Sequence, residues 1–105
     1  MPAYNPVVLK NLHVIMTEFS EVRGTEISRL PGYQFNGNPL VCVHENGIVV
    51  RLGETRVKEL AGRNGFSAFA GASERAWQEW VKYEGDILKQ EPLIDEAVRY
   101  VTEQA

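Results

Sequence analysis

A cysteine and a histidine two residues apart, Cys42 and His44, have side chains that could do chemistry together. Alternate residues of a β-strand point to the same side, so both side chains would lie on one face, with Arg51 on the neighbouring strand. A thiolate beside an imidazole can act as a nucleophile with its base, and the same pair can supply two metal ligands. Each arrangement needs a third partner, and neither His13 nor the scattered carboxylates have a recognisable spacing. The sequence therefore favours a cysteine that packs as a small hydrophobic residue and a surface histidine.

Other kinds of site have still less support. Glu18, Glu21 and Glu26 lack the apolar surroundings that would raise the pKa of a carboxyl group for acid–base catalysis. The glycine-rich phosphate-binding motifs are absent. Basic residues collect around one short helix, but Glu54 and Glu59 interleave with them. The basic residues are Arg51, Arg56, Lys58 and Arg63. We predict a protein that is not an enzyme, has no cofactor or metal and does not bind nucleic acid.

Length and composition predict one globular domain over residues 1–105. The chain is 44% hydrophobic and 24% charged, with a net charge of -3, so broad contact with a phosphate backbone is disfavoured. One cysteine allows no internal disulfide and fits a reducing compartment. Neither a membrane-spanning run nor a signal peptide is recognisable in the sequence, and we expect a cytoplasmic protein.

Residues 40–52 read as a β-hairpin around the turn dipeptide Asn46-Gly47. That turn would pair Val43 with Val50 and His44 with Val49. One face of the hairpin would be a core face, and it would carry Val41, Val43, Ile48, Val50 and Leu52. The face that the helices leave uncovered, called the second face below, would carry Leu40, Cys42, His44, Val49 and Arg51.

A second turn dipeptide, Asn36-Gly37, predicts a hairpin that pairs Phe35 with Asn38 and Tyr33 with Leu40. Tyr33 and Phe35 would then join the second face. An earlier strand over residues 25–30 would end at Pro31-Gly32.

Apolar spacing predicts a helix from Pro6 with Asn5 as its N-cap, a short helix over residues 53–61 and a final helix over 92–104. Strands are predicted over 66–70 and from about Gln78, with a turn over 71–73 between them. The order α-β-β-β-α-β-β-α with consecutive hairpins indicates an α+β two-layer sandwich. It would have a mainly antiparallel sheet with the helices on one face.

The pattern of turn glycines and apolar strands resembles the N-terminal domain of TfoX, a bacterial competence regulator. The resemblance covers about residues 6–103 and is carried by the segments around Pro31-Gly32-Tyr33, Asn46-Gly47 and 54–60. It implies a two-layer α+β fold, often dimeric, and a regulatory role. Gly53 stands where that family usually has proline, and the regulator's C-terminal domain has no counterpart in these residues. The MmcQ/YjbR group has a similar size and element order and is the alternative.

An uncovered apolar sheet face predicts an interface, because soluble monomers seldom expose large apolar patches. We expect the second face to form a homodimer and the protein to act through protein–protein contacts. The candidate interface residues are Tyr33, Phe35, Leu40, Cys42, His44, Val49 and Arg51, and Val49→Glu would separate the dimer. Two alternatives stay open: loops or the 87–88 segment cover this face, or Cys42, His44 and Arg51 form a ligand-binding or enzymatic site.

Overall fold

The computed structural model describes residues 4–69 and 75–104. Three helices and six strands follow one another along the described chain in the order α-β-β-β-β-α-β-β-α. The helices are α1 (Pro6–Met16), α2 (Glu54–Leu60) and α3 (Glu91–Gln104), and the strands are β1 (Val22–Ile27), β2 (Leu30–Phe35), β3 (Asn38–His44), β4 (Gly47–Arg51), β5 (Phe66–Ala68) and β6 (Trp80–Tyr83). Short 3₁₀ turns at Arg75–Glu79 and Ile87–Lys89 precede β6 and α3. The turn predicted over 71–73 lies outside the described residues.

The six strands form one antiparallel sheet in the order β1-β2-β3-β4-β6-β5. All three helices contribute to one core cluster with the sheet, including Leu12 of α1, Leu60 of α2 and Ile94 of α3. The predicted α+β two-layer sandwich is therefore confirmed, with four strands before α2 where three were expected. Among the described residues, no helix has both the length and the apolar composition needed to cross a membrane.

The helix ends that capping residues predicted are confirmed for the start of α1 and the end of α2. The Asn5 side chain accepts a hydrogen bond from the Val7 amide at 2.9 Å, and Pro6 occupies the first turn of α1. Gly62 follows the C-cap of α2 with a φ of 91°, a left-handed conformation that glycine adopts without steric cost.

The strand predicted over residues 25–30 is in fact a tight hairpin. Ser28 and Arg29 form its turn with φ values of 50° and 69°, and Pro31 lies within β2 opposite Glu26. Neither turn residue is a glycine or an asparagine, so the local signals pointed to Pro31-Gly32 instead.

The β3–β4 turn lies one residue earlier than predicted. His44 pairs with Gly47, and Val43 with Ile48 rather than Val50. Each β3 residue therefore pairs with a β4 residue two positions earlier than expected. A shift of two residues does not by itself move a side chain to the other face, so Val43 and Val50 still face the helices.

A β-bulge at Leu40 overturns the predicted face of three candidate interface residues. Tyr33 pairs with Val41 and Gln34 with Pro39, so Leu40 is an extra residue in β3. The extra residue reverses the alternation in this part of the sheet. Leu40 is consequently buried in the helix-covered core, and Tyr33 and Phe35 pack against that core rather than the second face. The predicted Phe35–Asn38 pair is confirmed.

Candidate functional site

The second face is closed by aromatic residues of the same chain. Cys42 and Val49 are fully buried there in a small core cluster with Leu30 and Trp80. Three partly buried side chains pack against that cluster, and they are Ile27, Phe69 and Trp77. The centre of the second face is therefore covered by the same chain, as one of the two alternatives expected. Phe69 and Trp77 provide this cover. Ile87, of the 87–88 segment, packs into the helix-covered core instead.

Aromatic contacts continue across this cover from one end to the other. Ring centroids lie 5.1 Å apart for His44 and Phe69, 4.9 Å for Phe69 and Trp77, and 5.2 Å for Trp77 and Trp80. All three pairs are tilted or edge-on, the arrangements that aromatic rings prefer. His44 thus marks one rim of the second face.

Cys42, His44 and Arg51 are not brought together into one site. Arg51 lies four residues along β4 from Gly47, the partner of His44, which is about 13 Å at the usual rise of a strand. Cys42 is completely buried, and burial raises the pKa of its thiol to about 12. A thiol in such surroundings is protonated at neutral pH and is a poor nucleophile.

His44 belongs to a charged cluster around Lys82, which is almost entirely buried. The Lys82 ammonium lies 3.2 Å from His44 Nδ1, pairs with the Glu45 carboxylate and lies 3.8 Å from Glu84 Oε2. Because an ammonium can only donate, Nδ1 of His44 is the acceptor in this contact. The hydrogen bond from Lys82 and its charge hold the pKa of the Glu45 carboxyl below its usual value. This cluster satisfies a buried lysine and holds the β3–β4 turn in place.

The basic residues around α2 are largely neutralised. Arg56 Nε lies 2.7 Å from Glu96 Oε2, and Lys58 pairs with Glu54 at 3.4 Å. Arg51 pairs with Glu79, also at 3.4 Å. Three of the four basic residues named around α2 are thus paired with carboxylates.

An open groove of about 390 Å³ lies beside the aromatic cover, between the β1–β2 turn and the 3₁₀ turn before β6. We call it the tryptophan groove. It is lined by Ile27, Ser28, Pro39, Arg51, Trp77, Glu79 and Trp80. Its volume falls in the range of ligand sites, and its lining combines apolar walls with a few polar groups. Of the seven candidate residues predicted from sequence, Arg51 alone lines it.

A network across the end of the sheet fixes the polar side of the tryptophan groove. Arg51 Nε and the Tyr100 hydroxyl both donate to Oε1 of Glu79, and the Arg51 guanidinium lies 5.8 Å from the centre of the Tyr100 ring. Burial and the hydrogen bond to Glu79 raise the pKa of Tyr100, so its hydroxyl remains a donor at neutral pH. A side chain of α3 thus holds the Arg51–Glu79 pair in place from the helix-covered side.

Within the described residues, no three histidine, cysteine or acidic side chains are grouped so that they could hold a metal ion. The polar groups of the tryptophan groove are one guanidinium, one carboxylate and one hydroxyl. This set can orient a bound group by hydrogen bonds. It lacks a nucleophile paired with a base.

The residues that sequence reasoning missed are Trp77, Trp80 and Glu79. The sequence did indicate a strand here, and β6 begins at Trp80, two residues later than expected. In a strand that begins at about Gln78, Trp80 and Lys82 share one face, and the structure places both on the second face: Trp80 is in the cluster with Val49, and Lys82 pairs with Val49. The sequence did not predict which strand β6 pairs with, because no local pattern indicates that β6 lies beside β4.

No protein-family model matches this chain, and no curated protein and no solved structure matches it.

Proposed function

We propose that this chain is a non-enzymatic protein that acts through protein–protein contacts at the tryptophan groove, in the simplest case as a homodimer. The observation that carries the proposal is that Trp77, Trp80 and Arg51 line a single open groove. Tryptophan and arginine are the residue types that most often dominate the energy of protein interfaces. The fully buried candidates, Cys42 and Val49, contribute by supporting this surface from beneath.

The absence of enzymatic activity is part of the same proposal. It is supported by the buried, protonated Cys42 thiol and by the separation of His44 from Arg51. A regulatory role and a cytoplasmic location belong to the proposal as well. The regulatory role rests on the resemblance to the TfoX N-terminal domain, and the location rests on the single cysteine.

Light scattering on the wild type and on Trp77→Ala tests the homodimer. At concentrations on the order of tens of micromolar, we expect the wild type to have twice the 11.8 kDa chain mass and Trp77→Ala to have the chain mass itself. The loss is expected because large aromatic side chains at an interface centre contribute about 2 kcal/mol or more each.

Val14→Ala is the matched control, because Val14 is an exposed apolar residue of α1 outside the groove lining. This variant should remain dimeric. A monomeric wild type, or a dimer that Val14→Ala disrupts and Trp77→Ala does not, would contradict the proposal.

A second candidate function is the binding of a small molecule in the tryptophan groove. The volume of about 390 Å³ and the mixed apolar and polar lining favour it. A wild-type monomer whose tryptophan fluorescence responds to a small aromatic ligand would support this alternative. Both tryptophans of the sequence line the groove, so their emission reports on it directly.

A further inference from the structure

We propose that β1 pairs along its outer edge with β1 of a second copy of this chain, antiparallel and about a two-fold axis at Thr25, so that two sheets join into one. This edge is separate from the tryptophan groove on the second face, and the two surfaces share only Ile27 and Ser28 at the end of the strand. The inference goes beyond the proposed function and does not rest on it.

β1 is a long and regular edge strand. Among the residues that the structure describes, no strand pairs with its outer side, and all six of its residues pair with β2 without a bulge. It contains neither proline nor lysine, which commonly block the pairing of edge strands. A Cβ atom added to Gly24, near its middle, would have no neighbour within 4 Å, so another backbone can approach there.

The pairing with β2 determines which backbone groups of β1 point outward. Pro31 has no N–H, so its pair with Glu26 is not a hydrogen-bonded pair, and the two kinds of pair alternate along an antiparallel ladder. The backbone groups of Gly24 and Glu26 therefore point away from β2, as does the Val22 carbonyl. The Val22 amide already donates to the Phe19 carbonyl at 3.2 Å. A second strand can thus hydrogen-bond to Gly24 and Glu26.

Charge and hydrogen bonding favour one register for two identical strands. Two-fold pairs centred on Arg23 or on Glu26 would place like charges directly opposite each other, which is unfavourable. A pair centred on Gly24 would place Glu26 opposite Val22, whose amide is already bonded. A pair centred on Thr25 places Gly24 opposite Glu26 on both sides of the axis, and each of these pairs exchanges both backbone hydrogen bonds. Registers centred nearer the ends of β1 would pair fewer residues.

The charges at the two ends of β1 favour the same arrangement. Glu18 and Glu21 precede the strand, Arg29 follows it in the turn to β2, and all three side chains are exposed. In an antiparallel pair, the acidic end of each copy lies beside the basic end of the other. Arg23 lies opposite Ile27 of the second copy, so no two like charges are opposed. Because the edge is complementary to its own reverse, it favours a second copy over an unrelated strand.

The contact is small, so this pairing is weak. A strand of six residues is about 20 Å long, and an interface of this length is smaller than those of stable complexes. We expect a dissociation constant on the order of 0.1–1 mM. At concentrations on the order of tens of micromolar, the mass measured by light scattering therefore depends on the tryptophan groove and not on the edge of β1.

Cysteine cross-linking tests the register. Thr25→Cys places two thiols in a non-hydrogen-bonded pair with Cα atoms about 4.5 Å apart, a separation that a disulfide spans. Arg23→Cys, on the same face of β1, is the matched control, because its two thiols would be offset along the strands by roughly 13 Å. With about 1 mM chain and oxidised glutathione, we expect Thr25→Cys to form the linked dimer about tenfold faster than Arg23→Cys or more. The native Cys42 is fully buried and does not compete.

Charge reversal is a second test, and it leaves the residues of β1 unchanged apart from the Thr25→Cys substitution that reports on pairing. In that background, Glu21→Arg and Arg29→Glu each bring like charges together and should slow cross-linking about threefold or more at low salt. Mixing the two variants brings opposite charges together at both ends. The mixed dimer, which mass spectrometry separates from the two homodimers, should therefore form fastest.

Equal rates for Thr25→Cys and Arg23→Cys, or a mixed dimer that forms no faster than the homodimers, would overturn the inference. A dimer in light scattering that Trp77→Ala separates would then still support the groove. Conversely, fast cross-linking of Thr25→Cys in a chain that is monomeric at tens of micromolar would support pairing at β1 and refute only the homodimer at the groove.

Discussion

Cys42 and Val49 occupy neighbouring strands on the face that sequence reasoning assigned to an interface, yet neither reaches solvent. Their cover comes from aromatic side chains far along the chain, the buried Trp80 and the partly buried Phe69 and Trp77. Burial decides the chemistry of these residues more than their type does. A thiol beside a histidine would be reactive in water, and here it is a packed apolar group.

Stability at alkaline pH follows from the buried thiol. The pKa of Cys42 in the folded chain is about 12, whereas an unfolded cysteine titrates near 8.5. The unfolded chain therefore loses the thiol proton first as the pH rises. Stability is complete below about pH 8.5 and falls above it, by roughly 2 kcal/mol at pH 10 from this group. Urea unfolding at pH 7 and pH 10 measures the change.

Cys42→Ala is the reference for this experiment, since it lacks the titrating group and should lose less stability over the same pH interval. Labelling of the folded wild-type thiol at pH 8 as fast as in denaturant would contradict the buried state on which the expectation rests.

At the scale of the elements, contacts from other parts of the chain set the position of the β3–β4 turn, and the Asn46-Gly47 dipeptide does not. Glu45, and not Asn46 or Gly47, takes the positive φ, at 53°. The Asn5 amide donates to the Glu45 carbonyl at 2.8 Å, and the Asn5 side chain donates to Asn46 at 3.2 Å. Lys82 of β6 pairs with the Glu45 side chain. The start of α1 and strand β6 thus fix this turn together.

Gly47 is needed for strand packing and not for the turn. A Cβ atom at this position would lie 2.3 Å from the Tyr83 carbonyl oxygen of β6. We expect Gly47→Ala to destabilise the fold by about 1–3 kcal/mol, because backbone must move to admit the methyl group. Urea unfolding monitored by circular dichroism measures the effect.

Gly24→Ala is the matched substitution, in the edge strand β1, where an added Cβ has no neighbour within 4 Å. Its effect should stay within about 0.5 kcal/mol. Equal losses for the two variants would mean that Gly47 is not held against β6.

At the scale of the whole molecule, helices cover one side of the sheet, and the aromatic side chains of Phe69, Trp77 and Trp80 cover the centre of the other. The helix-covered core holds most of the buried residues, and the second face has a smaller cluster of its own. The free surface of the second face is therefore reduced to its margins, where the tryptophan groove and the His44–Lys82 cluster lie. A partner that binds the second face would therefore contact it at such a margin.

Val49→Glu is consequently a test of folding and no longer a test of the interface. A carboxylate at this fully buried position is placed among apolar side chains, and Lys82, which lies opposite Val49 in the sheet, is already paired with Glu45. We therefore expect a loss of roughly 3 kcal/mol or more. Thermal unfolding followed by circular dichroism measures it.

Val14→Glu introduces the same side chain on the exposed face of α1 and should change stability by less than about 0.5 kcal/mol. A folded Val49→Glu chain with wild-type stability would show that the second face is open in solution.

Sequence reasoning predicted the fold closely and the candidate site poorly, for one physical reason. Caps such as Asn5 and turns such as Asn36-Gly37 act over a few residues, so the sequence displays them directly. The site depends on strand neighbours and on a bulge. The bulge at Leu40 moved Tyr33 and Phe35 away from the second face. Pro39 beside it is a local cue, since proline within a strand is confined to edges, strand starts and bulges, but this cue does not state that the residue after it is the extra one.

The sequence by itself determined the class of fold, the positions of the three helices and the apolar faces of the central hairpin. It could do so because side-chain periodicity and capping are local properties of a chain. Tertiary structure alone decided that β6 pairs with β4, that Trp77 and Trp80 cover Cys42, and that Arg51 meets Glu79. Those contacts join residues about thirty positions apart, and their free energy exists only once the sheet has brought the strands side by side.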